Sequence, residues 1–373
     1  MTTIGHLFDE SAGWEQRVAV TQLLERLPPD RFPQVLAVTS PAARSALRGL
    51  DRPIETFSRL ASVAALAGPN LARFAAHRGI DVLHAWGAAA ATVARTLSDT
   101  PLVVHLFDPC SAARSVKLLR VMAASRGFAA ACSCEIVRRR LVEGGVPFEA
   151  TVVIRPGVDF AAISRFRRSG LRERLGLSRA HRVIILPDVA EGSGSRLEAF
   201  MAVALQHALT PDLRVIVPGD GLEQRRIARF AATVPQPGAL VATHDRYPFE
   251  QLVAAADLLL ITPRGDASTT SIAWAMGAGV GVIGTAVYAV AELIASRVNG
   301  LLFKQTPGRS MTLPIVRLLE DHEAHAKVTE AARGQSYEVF SVRRFIEQHA
   351  RLYENVLAGV KPSEGITDPA MRA

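Results

Sequence analysis

Two α/β domains, each built on a parallel sheet, are what this sequence predicts, and three observations predict them. Short hydrophobic runs alternate with longer amphipathic ones along nearly the whole chain, the pattern of βαβ units. The alternation lapses once, in "RPGVDFAAISRFRRSG" (155–170), into a Pro/Gly turn and a basic segment suited to a hinge. A length of 373 residues exceeds what one ordinary compact domain takes.

The elements follow in order. In the first half the strand candidates are "TIGHLF" (3–8), "QVLAVT" (34–39), "DVLHAW" (81–86), "PLVVHLF" (101–107), "GFAAAC" (127–132) and "TVVI" (151–154). Such runs are apolar at successive positions rather than at alternate ones, as expected of strands covered on both faces. Helical patterning separates them at 15–27, 59–77 and 88–97, and again after Cys134. The second half repeats the scheme with "RVIILP", "LRVIVPGDG", "GALVATH", "ADLLLI", "GVGVIGT" and "GLLF". Its helices are expected at 196–209, 222–233, 249–255, 270–277, 290–295, 314–333 and 342–357. The polar tail "GVKPSEGITDPAMRA" (359–373) is expected to be disordered. Boundaries at 1–160 and 161–340 follow, giving two Rossmann-like domains facing one another. Ligands of such sheets bind beyond the carboxyl ends of the strands, so the chemistry is expected there, in a cleft between the domains.

Composition narrows the function. Hydrophobic residues make up 49% and charged residues 21%, which suits a globular core. No apolar run is long enough to cross a bilayer, and "MTTIGHLFDE" lacks the layout of a secretory signal, so a cytoplasmic location is expected. Cys110, Cys132 and Cys134 are too few for a disulfide framework, and no further Cys/His pair stands at metal-ligand spacing. The net charge is +8, carried almost wholly by arginine, since the lysines are Lys117, Lys304, Lys327 and Lys361. No basic tract is interleaved with aromatics, which argues against nucleic acid. The densest cluster, Arg138-Arg139-Arg140, fits a basic face that meets an anionic membrane surface or ligand.

Candidate site residues lie after strands. Gly13, before Trp14 and Glu15, opens a helix after the first strand; it serves either close approach to a phosphate or a plain turn. His105 and His84 lie toward strand ends, where an imidazole can meet a sugar hydroxyl or sit satisfied in a core. His105 shares a strand face with Phe107, and Asp108 follows at the turn as a candidate base or hydroxyl acceptor. "EGSGSR" supplies Ser193 and Gly194 as a phosphate cradle, with Arg196 as its positive charge; a surface turn is the plain alternative. "RGDASTTSIAWAM" supplies Asp266, then Ser268, Thr269, Thr270 and Ser271 at a helix start whose free N–H groups and hydroxyls suit an anion or a sugar. Capping alone also accounts for those hydroxyls. Trp274, four residues after Thr270, either stacks on a base or sugar or packs in the core beside Met276.

With these motifs in order, the chain resembles the GT-B glycosyltransferases of the large retaining family four, over roughly Ile4 to Leu357. "SAGWEQ" resembles the family's Gly-Gly-x-Glu loop, and "DVLHAW" its Asp-Val-x-His-x-His segment with Trp86 for the second His. "CSCEIVRRRLVEGGVPFEATVVIRPGVDF" resembles the family's hinge, "VPGDG" with Gly219 its Gly-Asp-Gly turn, and 255–303 its nucleotide-binding half. The resemblance implies two Rossmann-like domains facing across a cleft, with a helix at 341–358 crossing back to the first. It implies transfer of a sugar from a nucleotide-diphosphate sugar to a glycan or lipid-linked acceptor. Retention, no metal and no cofactor beyond the donor itself are implied as well, usually in cell-surface polysaccharide assembly at the inner face of the membrane.

The donor positions depart from the family. Asp188 stands where the family has a diphosphate-clamping Arg, and no lysine occurs between Lys117 and Lys304 to supply the family's Lys. The paired glutamates fall on Asp266 and Trp274, placing Trp274 with Gly219 in the ribose and base region, and the family's N-domain His falls on Phe107, two residues after His105. Two charged hydrogen bonds contribute about 3–6 kcal/mol together. Their loss makes a catalytically inactive GT-B-like binding partner the second reading.

Overall fold

A computed structural model of the chain describes all residues except 10–12, 40–42, 45–46, 48–49, 51–52, 57–63, 98, 126, 188–195, 209, 220–221, 234–237, 243–245, 266, 305–308, 369 and 371–373. The chain divides into two compact units, residues 1–157 with 342–373, and residues 158–341.

The first unit contains β1 (Ile4–Phe8), α1 (Trp14–Arg26), β2 (Gln34–Val38), β3 (Ile54–Thr56), α2 (Ala64–Arg78), β4 (Val82–Trp86) and α3 (Ala88–Ala94). It continues with β5 (Leu102–Leu106), α4 (Pro109–Met122), β6 (Phe128–Cys132), α5 (Glu135–Glu143) and β7 (Thr151–Val153). The second unit contains α6 (Phe160–Arg167), α7 (Leu171–Arg174), β8 (Arg182–Ile185), α8 (Arg196–His207), β9 (Leu213–Val217), α9 (Leu222–Ala231), β10 (Leu240–Ala242) and α10 (Phe249–Leu252). Then come β11 (Leu258–Ile261), α11 (Thr270–Gly277), β12 (Gly281–Thr285), α12 (Tyr288–Ala291), β13 (Leu301–Phe303), α13 (Arg309–Glu320) and α14 (His322–Val339). Helix α15 (Val342–Ala358) returns to the first unit.

Each unit has one parallel sheet. The seven-stranded sheet runs β3-β2-β1-β4-β5-β6-β7 and the six-stranded one β10-β9-β8-β11-β12-β13. Strands β1, β4, β5, β6, β11 and β12 are buried at every position, which is why they read as continuous hydrophobic runs. In both sheets the strand order reverses beside the first strand, between β1 and β4 and between β8 and β11. Crevices for ligands open at such reversals.

Four expectations change. Strand β3 was not expected; it is a three-residue edge whose "IET" is mostly exposed, so no apolar run marks it. The hinge segment carries α6, because Asp159 caps it by accepting from the Ala162 N–H at 2.9 Å. The single helix expected over 314–333 is two, divided where the Asp321 carboxylate accepts from the Ala324 N–H and starts a new helix. The tail, expected to be disordered, is held at least to Asp368. Asn355 Nδ2 donates to the Pro362 and Glu364 carbonyls, Ile366 is buried, and Arg155 pairs bidentately with Asp368 at 2.7 and 3.1 Å.

That pair is 2% and 8% exposed at its two side chains. Removing one partner leaves the other charge buried, at a cost of about 3–5 kcal/mol. Arg155→Ala is therefore expected to lower the unfolding free energy of the first unit, measured by urea titration, by that amount. A cost below about 1 kcal/mol, the range of exposed pairs, would show the tail is not anchored there.

Candidate functional site

At the reversal in the second sheet, the loop after β11 leads into α11. Ser268 Oγ lies 3.2 Å from Thr270 Oγ1 and accepts from the Thr270 N–H at 3.3 Å. Thr269 is fully buried, and its hydroxyl has no hydrogen-bond partner among the described residues. Thr285 at the end of β12 donates to the Pro263 carbonyl at 2.8 Å, which ties the neighbouring strand to this loop. The Thr269 side chain makes no cap bond, and Ser268 Oγ takes the Thr270 N–H at the long distance of 3.3 Å, so the start of α11 keeps the electropositive end expected of a helix N-terminus.

Asp266, Ser193 and Gly194 lie outside the described residues, as does Asp188. Arg196, at the start of α8, is 4% exposed, and its Nη1 donates to the Pro218 carbonyl at 3.0 Å. That bond holds it at the residue just after β9, beside Gly219. The Gly219 backbone has φ +94°, the left-handed region that favours glycine.

Trp274 is 2% exposed, and every residue of α11 is buried with it. Helix α11 approaches its neighbours so closely that a Cβ on Gly277 would meet Val158 at 2.7 Å. Buried in a helix packed this tightly, the indole is a core side chain in this structure, with Nε1 unpartnered among the described residues.

In the first sheet, Asp9 follows β1 and is 4% exposed; its carboxylate accepts from the Ala90 N–H at 2.7 Å. The N-terminus of α3, where Gly87 takes φ +107°, is thus already met by an anion. Sequence reasoning missed Asp9; its signal was an acid directly after a hydrophobic strand. Gly13 is exposed and caps α1, its N–H donating to Gln16 Oε1 at 2.9 Å. Asp108 caps α4, accepting from the Ser111 N–H at 2.8 Å, with Pro109 at the first helical position.

His105 does share a face with Phe107, the rings stacking at 4.6 Å, but it is fully buried. It belongs to a group with His6, His84, Trp86, His349 and Tyr353, all essentially inaccessible. Burial lowers the pKa of His6 to about 4 and of His349 to about 3. It pushes His84 and His105 well below the ordinary imidazole value, and neighbouring histidines add to this. Trp86 Nε1 donates to His6 Nδ1 at 3.1 Å, so His6 Nε2 carries the proton shared with Gln34 Oε1 at 3.0 Å. The sequence reading noted His84 and His105 but missed His349, which lies among charged residues on α15 and reaches them only through the fold.

The site residues therefore separate by unit. Ser268, Thr269 and Thr270 gather at the second reversal with Trp274 behind them; Gly13 and Asp108 act as helix caps, and His105 lies inside the first core.

Residues 184–321 match the family described as glycosyl transferases group 1. Over 146 residues the chain is 26% identical to N-acetyl-alpha-D-glucosaminyl L-malate synthase of Bacillus anthracis, spanning 39% of this chain and 38% of that protein. Among solved structures it resembles Anabaena Alr3699/HepE in complex with UDP and glucose, with TM-score 0.77 and 21% identity over 94% of this chain and 98% of the other. Sucrose-phosphate synthase of Thermosynechococcus elongatus superposes with TM-score 0.72 and 13% identity over 96% of this chain and 100% of the other. The chain has the GT-B fold of two parallel-sheet α/β domains, and the match to the glycosyl transferases group 1 family falls within its second domain.

Proposed function

We propose that this chain transfers a sugar from a nucleotide-diphosphate sugar to a glycan or lipid-linked acceptor, with retention and with no metal ion at the reaction centre. The observation that carries the reading is the hydroxyl-lined start of α11 at the β8–β11 reversal, inside the segment that matches the group 1 family. Alr3699/HepE, bound to UDP and glucose, has the same fold and supports a nucleotide-sugar donor. In sugar transfer, negative charge grows on the departing diphosphate. Backbone N–H groups and hydroxyls fixed before the reaction stabilise that charge without reorganising. Here Ser268, Thr269, Thr270 and the first amides of α11 fill that role.

One observation favours the second reading, an inactive binding partner. Trp274 stands where the family has the ribose-holding carboxylate and is packed into the core, so α11 offers no carboxylate to a ribose. Thermal-shift titration with UDP, GDP and ADP sugars at millimolar concentration separates the two. A donor present at about 100 times its Kd stabilises the folded chain by about 2.7 kcal/mol, a rise of several degrees in Tm. No rise with any donor would sink the transfer reading.

A lipid-linked acceptor places the reaction at a membrane surface, in the assembly of cell-surface polysaccharide. Among the described residues no helix is long and apolar enough to cross a membrane, so contact would be peripheral. The expected basic face on α5 is largely offset: Arg138 pairs with Glu135, and Arg139 and Arg140 pair with Glu143. Attraction to anionic lipid through this helix is correspondingly weak and salt-sensitive.

A further inference from the structure

Three of the four histidines buried in the first unit's core come together from separate elements: His84 on β4, His105 on β5 and His349 on α15. All are fully buried, and one ring nitrogen from each lies within 4.8 Å of the other two. Their rings are 5.4 to 5.7 Å apart and nearly parallel.

The hydrogen bonds show what these nitrogens lack. A carbonyl only accepts, so His349 Nδ1, 2.8 Å from the Phe345 carbonyl, must carry the proton. The lone pair of His349 is then on Nε2, which faces His105 Nδ1 at 3.4 Å, too long for a good N–H···N bond. His84 Nδ1 is 2.8 Å from the Tyr353 hydroxyl, while His84 Nε2 and His105 Nε2 have no partner among the described residues. Buried polar atoms left unpaired cost free energy and ask for a ligand. A neutral imidazole keeps one lone pair, so His349 Nε2 and one nitrogen of His105 present lone pairs to this pocket, and His84 Nε2 adds a third where its Nδ1 donates to Tyr353.

We propose that His84, His105 and His349 bind one zinc-type divalent transition-metal ion. Three imidazoles are a donor set that zinc, copper and nickel accept. At metal–nitrogen distances of about 2.0–2.1 Å, neighbouring ligands on a tetrahedral ion stand about 3.3 Å apart. The His349–His105 pair is already at that spacing, and the third ring closes by about 1–1.5 Å through side-chain rotation. The surroundings match those of ligating histidines, whose second nitrogen donates to a carbonyl or meets a hydroxyl. The Phe345 carbonyl does this for His349, and Tyr353 does it for His84. His6 is outside the set because both its nitrogens are engaged, by Gln34 and Trp86. The ion takes no part in the transfer reaction. It fastens α15 to β4 and β5, so the site is structural.

The test uses the full chain. Protein from zinc-supplemented culture, dialysed against metal-free buffer, is expected to retain about one equivalent of metal by elemental analysis. Replacing it with Co²⁺ is expected to give the visible absorption of a tetrahedral nitrogen site. Chelation is expected to lower the Tm of the first unit by on the order of 5 °C. His349→Phe and His84→Phe, each checked for folding by circular dichroism, are expected to lose the metal and the chelator sensitivity. The proposal is overturned if the wild-type chain holds no stoichiometric metal and shows no Co²⁺ band. It is equally overturned if either folded variant retains both, since the ion would then sit on surface side chains. If both variants fail to fold, the wild-type metal content and Co²⁺ spectrum decide alone.

Discussion

On acidification of the metal-free protein, the first unit is expected to unfold near pH 4–5 while the second remains folded. The folded-state pKa of His6 is about 4 and that of His349 about 3, both below the ordinary 6.5 of the unfolded chain. Between those values the unfolded chain binds protons that the folded chain refuses, so stability falls with pH below about 6.5. Each histidine removes about 1.4 kcal/mol per pH unit, so these two together remove about 5 kcal/mol by pH 4.5. His84 and His105 are shifted the same way and steepen the loss. Total stabilities of about 5–15 kcal/mol do not survive several such terms. In the second unit a single histidine, His207, is shifted downward among the described residues. Fluorescence and circular dichroism followed over pH, with limited proteolysis to identify the unit, provide the check. A single transition below pH 4 with both units lost together would refute the assignment.

Trp274→Ala is expected to destabilise the second unit by about 3–5 kcal/mol, the range for truncating a fully buried aromatic side chain. Donor affinity, measured at a temperature where the variant stays folded, is expected to change less than about twofold. Stacking on a bound base would instead contribute about 1–3 kcal/mol, and its loss would weaken binding by about 5- to 150-fold. The two outcomes separate because stability and affinity move independently here. An affinity loss in that range would place the indole in the ligand pocket; a stability cost under 1 kcal/mol would show the core tolerates the cavity.

Much of the architecture was legible because parallel strands buried on both faces leave uninterrupted apolar runs. "ADLLLI" became β11 and "PLVVHLF" became β5 with their ends displaced by one or two residues. Strand β3 was illegible since an exposed three-residue edge has no such run. The break at Asp321 was missed because helical periodicity continues on both sides, and only the cap marks the restart. The candidate site was legible in residue type and not in environment. Ser268–Thr270 could be read from a hydroxyl run after a strand. That His105 lies inside a core, Arg196 on the Pro218 carbonyl and Asp108 on its own helix start depends on partners distant in sequence or on backbone geometry. His349 shows the limit: 244 residues separate it from His105, and no local pattern joins them.

The first unit closes only when α15 arrives, because His349, Leu352 and Tyr353 fill its interior and the whole second unit lies between β7 and that helix in sequence. A ribosome therefore delivers the second unit complete while the first is still missing a wall. During synthesis the later segment can finish folding before the earlier one, the reverse of the usual N-terminal-first order. A premature stop just before Val342 would damage the beginning of the chain, sparing the residues of the 158–341 unit while leaving the histidine-rich sheet open to water.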